Sequence, residues 1–384
     1  MDDAISEADD RGPAPTEISL ADKLAAVRAD LRDEYLQAHT RPWIVGFSGG
    51  KDSTLTLQLV METLLELPPS KRTRTVHVLS NDTLVESPVV QAFVDAVLDR
   101  IGASVPGLRL PVVVMKTTPD PNNTFWVNLM GRGYPAPNRL FRWCTDRMKI
   151  RPTTKYIRDQ VSAASEVILL LGVRRAESSA RAKSARKYDN GERLNPHNDV
   201  KGCLVYRPIV ELDNEEVWTS LLQLRPPWGG THRDLVTLYR NGQGGECPFV
   251  VDSEDTPSCG TASVRFGCWT CTVVEKDKSL HGFIDNGFEH LEPLADFRDR
   301  LRELSQPNSP HRMTQRRNGQ DGNGPFTLDA RRMLLSELLA IQADMPFTLI
   351  SEAEVTRIKE LWADDQSLFA VNKANRLLSI LGEA

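Results

Sequence analysis

No apolar run in this chain of 384 residues approaches the length that a membrane-spanning helix needs, which excludes a helical membrane protein. Cysteine is scarce: six in all are too few to staple a chain of this size, so a disulfide scaffold is excluded too. There is no basic excess, with 47 Lys and Arg against 52 Asp and Glu, which argues against a general nucleic-acid binder. The start, Met1-Asp2-Asp3-Ala4, is acidic and unlike a secretory or transit signal. The expected compartment is therefore the cytoplasm, where thiols stay reduced and clustered cysteines point to metal binding or thiol chemistry. No internal repeat is evident, and 40% hydrophobic with 26% charged residues is ordinary for a globular chain.

What is there begins with Trp43-Ile44-Val45, an apolar stretch running into Gly46-Phe47-Ser48-Gly49-Gly50-Lys51-Asp52-Ser53. This reads as a strand entering a glycine-rich turn just before a helix. Adjacent glycines let backbone N–H groups crowd around an anion, and a helix N-terminus adds positive potential. Lys51 adds a mobile cation, and Ser48 and Ser53 add hydroxyl donors. The turn is a phosphate cradle. It is not a Walker loop, because Asp52 follows Gly50-Lys51 and the preceding glycine spacing is wrong. It does satisfy the G-x-S-x-G elbow of serine hydrolases, but the seven histidines are scattered without an obvious partner context.

The rest of the first half keeps a βα rhythm. Leu20, Leu24, Val27, Leu31 and Tyr35 mark an amphipathic helix. Strands are predicted at Trp43–Phe47, Thr75–Leu79, Leu110–Met115, Val167–Leu171 and Val205–Val210. Helices are predicted after Gly50, from Ser87 or Pro88 through Val97, and from a capping box at Asp213–Glu216. Apolar β-rich runs alternating with helices imply an α/β fold with a doubly wound, mostly parallel sheet. Ligands in such sheets sit outside the strand C-termini. The Ser48 loop, the Asn81-Asp82 turn and the Gly172-Val173-Arg174-Arg175 turn all fall there. The expected domains are a disordered tail (1–17), the nucleotide-binding domain (18–224), a loop-rich Cys module (225–280) and a helical C-terminal region (281–384). The polar run Gln315–Gly324 reads as a flexible loop.

Four of the cysteines, Cys247, Cys259, Cys268 and Cys271, fall within 25 residues, spaced C-x11-C-x8-C-x2-C. Two residues between thiolates let both face one centre, so the cluster fits structural zinc or an iron–sulfur cluster, and spacing does not separate them. Cys144 stands among Arg139, Arg142, Arg147 and Lys149, cations that should favour its thiolate; it is a candidate sulfur carrier or a small buried residue. Cys203 reads as structural. From Arg139 to Lys187 the chain holds 13 Lys/Arg against 4 Asp/Glu, a local balance of +9 that suits either a solvated surface or a polyanion-binding face.

The S-G-G-K-D-S loop resembles that of the ATP pyrophosphatases, which split ATP between its α and β phosphates. With Asn81-Asp82-Thr83, Arg142-Trp143-Cys144-Thr145, Leu171 through Ser178 and Tyr206-Arg207-Pro208-Ile209, the chain resembles their phosphoadenosine-phosphosulfate reductase-like branch, of adenine nucleotide alpha hydrolase fold. Phe125-Trp126-Val127-Asn128, the four-Cys segment and Gly324-Pro325-Phe326-Thr327-Leu328 narrow the resemblance to the DndC family of DNA phosphorothioation sulfurtransferases. That resemblance implies ATP bound through Ser48, Gly49, Gly50, Lys51, Asp52, Ser53, Asp82 and Gly172. It also implies Mg²⁺ near Asp52 or Asp82, and catalysis by Lys51, Asp52, Arg174, Arg175 and Cys144. A [4Fe–4S] cluster on the four cysteines, DNA as acceptor, a cysteine desulfurase as sulfur donor and companion phosphorothioation proteins complete it. The alternatives are a phosphosulfate reductase, a tRNA thiolase and, outside enzymes, a nucleotide-binding scaffold without turnover. The absence of any Cys after Cys271 disfavours the reductase, and the single C-x-x-C disfavours the thiolase.

Overall fold

The apolar runs of the sequence become one six-stranded sheet in a computed structural model that describes residues 18–175, 192–242, 266–316 and 320–365. The strands are β1 (Trp43–Gly46), β2 (Val76–Asn81), β3 (Val112–Thr117), β4 (Val167–Leu170), β5 (Leu194–Pro196) and β6 (Cys203–Tyr206). Their spatial order is β3-β2-β1-β4-β6-β5, parallel throughout except for β5, which runs antiparallel to β6. Every residue of β4 is buried, as are Trp43, Ile44 and Val45 of β1. Strands covered on both faces need no polar alternation, which is why these segments read as unbroken apolar runs. The fold is the expected α/β, doubly wound, mostly parallel one.

The order of strands positions the site. From β1 the chain walks outward to β2 and β3, then returns to β4 on the other side of β1. The walk reverses between β1 and β4, and ligands of open α/β sheets bind in the crevice outside the strand C-termini at such a reversal. Phe47–Gly50 and Leu171–Arg175 border it, with Asp82 beyond the end of β2.

The helices follow local signals. Ser19 caps α1 (Leu20–Tyr35), its hydroxyl accepting the Asp22 N–H at 3.2 Å. α2 (Lys51–Glu66) is buried on nearly every side, so it is a central helix rather than a surface one. α3 (Pro88–Leu108) runs eleven residues past the expected end at Val97, because its apolar face continues through the buried Leu98 and Ile101. Pro106 is tolerated there because it falls in the last turn, before Arg109 ends the helix in the left-handed region. α4 (Arg151–Ala164) leads into β4. The expected capping box opens α5 (Asn214–Gln223), with Asp213 and Glu216 exchanging bonds of 2.8 Å.

α6 (Arg233–Gly242) was not expected, since its segment read as loop-rich; Leu235, Leu238, Tyr239 and Gly242 form its buried stripe. α7 (Lys278–Asp285), α8 (Glu292–Leu304) and α9 (Leu328–Ala343) form the helical C-terminal region. One apolar cluster joins Leu24, the sheet, Trp269, Phe297, Leu338 and Ile358, so these helices pack on the core of the sheet. Gln315 and Asp321 pair across the polar run near Gly324. The tail 1–17, Cys247, Cys259, Ala176 through Ser178 and the basic residues Arg181 through Lys187 lie outside the described residues.

One buried group gives the fold a pH signature. The Gln58 amide donates to Glu62 at 2.7 Å and to the Arg225 carbonyl at 3.2 Å, so its oxygen faces His232 Nε2 at 2.6 Å as acceptor. His232 Nε2 is therefore the donor, and burial, aided by Arg100, pushes its pKa down to about 4. A histidine depressed below its ordinary 6.5 stabilises the fold above that pH and loses the contribution as pH falls toward 4. Urea unfolding at about pH 7 and about pH 4.5 should show this loss, and His232→Gln should flatten the difference. An identical pH dependence in the variant would contradict the assignment.

Candidate active site

Gly49 makes the turn between β1 and α2 possible. Its φ is +74°, and a Cβ there would stand 2.5 Å from Val94 Cγ2, so both backbone and space demand glycine. Gly50 is the N-cap of α2 and brings no capping side chain, which leaves the helix dipole facing the crevice. The loop closes on itself: Ser48 N–H donates to Ser53 Oγ at 3.2 Å, and the Ser53 hydroxyl donates to the Gly50 carbonyl at 2.9 Å.

Charge is concentrated at the first turn of α2. Asp52 receives Lys51 Nζ at 3.1 Å on one oxygen and Arg174 Nε at 2.5 Å on the other. Lys51 is 6% exposed and Arg174 only 2%, so two cations share one carboxylate out of bulk water. Arg174 Nη1 is buried without a partner among the described residues. A buried cationic N–H left unmatched is costly and calls for an anion. Gly172 brings the end of β4 against this turn, where a Cβ would lie 2.6 Å from the Asp52 carbonyl oxygen. Arg175 turns away to Glu211 at 2.7 Å. Both Asp52 oxygens are committed, so Asp82 is the better-placed carboxylate for Mg²⁺. Burial raises the Asp82 pKa, offset by the Leu84 N–H that it accepts at 2.8 Å and by Lys116 at 3.9 Å.

The thiols gather beside the end of β2. Cys268 pairs with Glu86 as an isolated bridge, and Trp269 N–H donates to the Val85 carbonyl at 3.1 Å. The Cys268 sulfur lies 3.3 Å from the Thr83 hydroxyl and 3.7 Å from Glu86 Oε1. Cys144 comes close enough to Cys268 and Cys271 for their thiolates to repel. The expectation that cations lower the Cys144 pKa is overturned: burial, then repulsion from Cys271, raises it. Of its basic neighbours, Arg147 is spent on Asn123, Asn128 and Tyr134, and Arg139 and Arg142 are exposed to solvent. Burial works against the charge of Lys149, but Cys268 and Glu86, 3.0 Å away, outweigh it and hold the ammonium protonated. Among the described residues no three Cys, His, Asp or Glu side chains stand together as a metal site. Cys203 is buried on β6 and pushed up to about 11 by burial, as a structural thiol should be.

Residues 42–274 match the family model of the phosphoadenosine phosphosulfate reductase domain. The chain belongs to that family. A curated relative, an uncharacterized protein of Methanocaldococcus jannaschii, is 28% identical over 188 residues, 49% of this chain and a third (33%) of that protein. Among solved structures, the U34-tRNA thiolase NcsA of Methanococcus maripaludis with its [4Fe-4S] cluster overlaps at TM-score 0.34 and 14% identity, covering 63% of this chain and 88% of that one. The phosphoadenylyl-sulfate reductase of Candida auris in its phosphate complex gives 0.31 and 11%, covering 55% and 89%. The FMN adenylyltransferase of Candida glabrata with FMN and an ATP analogue gives 0.34 and 10%, covering 61% and 66%. Overlaps at such TM-scores carry no argument about chemistry.

In this reductase-domain chain, Tyr239 of α6 is the site residue that the sequence reading missed. Its hydroxyl accepts the Lys51 backbone N–H at 3.2 Å, and its ring lies 5.8 Å from Lys51 Nζ. Phe266 packs edge-on against that ring at 4.7 Å, two residues before Cys268. The phosphate loop and the thiols are thus two contacts apart. Arg298 was missed as well: buried on α8, its guanidinium donates to the carbonyls of Cys271, Val274 and Glu275. The helical spacing of α6 would have exposed Tyr239; nothing local marks Arg298. Among described helices none is long and apolar enough to cross a membrane.

Gly172→Ala tests the packing of β4 against α2. The methyl group would push the Asp52 carbonyl, lower stability by about 1–3 kcal/mol and weaken binding of a fluorescent ATP analogue at least tenfold. Unchanged melting and binding would show that this contact does not shape the site.

Proposed function

We propose that this protein is an ATP-dependent sulfurtransferase that inserts sulfur into a phosphodiester of DNA. The observation that carries the reading is the junction of phosphate cradle and thiols through Lys51, Tyr239 and Phe266. A phosphate oxygen is a poor leaving group until it is converted to AMP, so a nucleotide site next to a sulfur-delivery site is what the chemistry requires. The Ser48–Ser53 loop would hold the β and γ phosphates of ATP as one DNA phosphate oxygen attacks the α phosphorus and pyrophosphate leaves. Sulfur at the sulfide level then attacks the activated DNA phosphorus, a P–S bond forms, and AMP departs with the oxygen. Lys51 and the unmatched Nη1 of Arg174 would balance charge that develops on the phosphoryl oxygens. Asp82 would hold Mg²⁺, which would offset the negative charge of the phosphates.

Cys144, Cys268 and Cys271 supply donors of the right kind for a thiophilic centre, with Lys149 to offset thiolate charge. Cys268 and Cys271, with Cys247 and Cys259 from outside the described residues, would hold a [4Fe–4S] cluster, which would supply a binding point for sulfide. Cys144, at the edge of this group, would accept sulfane sulfur from a cysteine desulfurase as a persulfide, and an external dithiol would release it as sulfide, restoring the Cys144 thiol and itself becoming a disulfide. Companion proteins of a phosphorothioation system would select the DNA site.

Mass spectrometry of nuclease-digested DNA tests this reading. Cells expressing the chain with its companion system should yield sulfur-containing dinucleotides, and Lys51→Ala should remove them. Cys144→Ser should remove them too while ATP binding persists. Thiolated nucleosides in tRNA with unmodified DNA would contradict the choice of acceptor.

A further inference from the structure

Most of the described cations in the basic block beginning at Arg139 are spent within the protein. Lys149 pairs with Glu86, Arg151 with Asp146, Lys155 with Asp159, and Arg174 with Asp52. Two cations are different. The guanidinium groups of Arg139 and Arg142 make no ion pair or hydrogen bond with any described residue, and both residues are exposed. Between them stand Leu140, 99% exposed, and Phe141, 45% exposed.

This tip is rigidly built. Asn138 and Phe141 exchange backbone hydrogen bonds of 3.3 and 3.2 Å, and the Asn138 side chain accepts from the N–H groups of Leu140 and Phe141 at 2.9 and 3.0 Å. Its stem is clamped as well: Trp143 Nε1 donates to the Pro135 carbonyl at 2.9 Å, and the Thr272 hydroxyl donates to the Pro137 carbonyl at 2.5 Å. Thr272 follows Cys271 and Arg142 precedes Cys144 by two positions, so the tip rises directly beside the thiols. A fully exposed leucine on a fixed turn contributes nothing to the core, and flanking arginines mark what it meets.

We propose that the turn Asn138–Arg142 is a wedge for the nucleic-acid acceptor, an inference that rests on the DNA reading above. Leu140 and Phe141 press against or between bases, as apolar side chains do when they unstack a step. Arg139 and Arg142 hold the flanking phosphates and aim one phosphodiester at the site beside Cys144. An anionic bilayer is the competing partner for an apolar tip with basic flanks, but two side chains bury too little apolar surface to anchor a protein.

The test uses the full chain and a fluorescein-labelled 30-mer carrying 2-aminopurine, duplex and single-stranded. Arg139→Ala/Arg142→Ala should weaken binding at least tenfold and flatten the slope of log affinity against log salt by about two. Leu140→Ser should keep most of the affinity but lose the rise in 2-aminopurine fluorescence that reports unstacking. Binding of an ATP analogue equal to wild type shows that each variant is folded. If the wild type binds DNA and both variants match it in affinity, slope and fluorescence, the wedge is refuted. Loss of binding to phosphatidylserine vesicles with DNA binding intact would overturn it in favour of a membrane contact. If the wild type binds no DNA, the reading on which the wedge rests falls with it.

Discussion

The site depends on one buried arrangement, a single carboxylate held between two cations at the first turn of α2. Asp52 keeps Lys51 and Arg174 together, yet the count of charges leaves the group one positive unit in excess. Removing one partner of such a buried set costs about 3–5 kcal/mol, because the remaining charges stay uncompensated. Among the described residues no other carboxylate pairs with these cations, so an anion bound there would relieve the excess without disrupting the set. The reversal of strand order between β1 and β4 supplies the opening, Gly49 the turn and Gly172 the close approach of the two loops. Sheet topology, glycine placement and charge therefore serve the same point in space.

The thiols are organised by a second device. The segment following Cys268 has little regular structure, and such a segment needs an external tie. Arg298 gathers three of its carbonyls, so part of the order commonly supplied by a metal comes here from a buried guanidinium. Thr83, Glu86 and Lys149 then surround the Cys268 sulfur from the β2 side. Tyr239 links this wall to the phosphate loop. In the reaction we propose, adenylation and sulfur insertion converge on one phosphodiester, which a fixed bridge between the two sites would suit.

Much of this was legible in the chain. The strand before Gly46, the glycine turn and the capping box at Asp213 have local causes, and local causes show in sequence. The pairing of Arg174 with Asp52 does not, because it joins residues 122 positions apart. Arg174 and Arg175 look equivalent in sequence, but the backbone sends one to the buried carboxylate and the other to Glu211. The environment of Cys144 was misjudged for the same reason: neighbouring cations in sequence are directed to Tyr134, Glu86 and solvent, leaving burial to set its pKa. The helix carrying Tyr239 was hidden by the glycines and prolines around it, although its own apolar spacing was helical.

The most direct measurement is the identity of the nucleotide products. Purified protein incubated with ATP, Mg²⁺, sulfide and DNA should release AMP and pyrophosphate in equal amounts, and Asp52→Asn, which disrupts the charge arrangement, should abolish both. Release of ADP and phosphate, or AMP formation unaffected by Asp52→Asn, would contradict the assignment of the cradle.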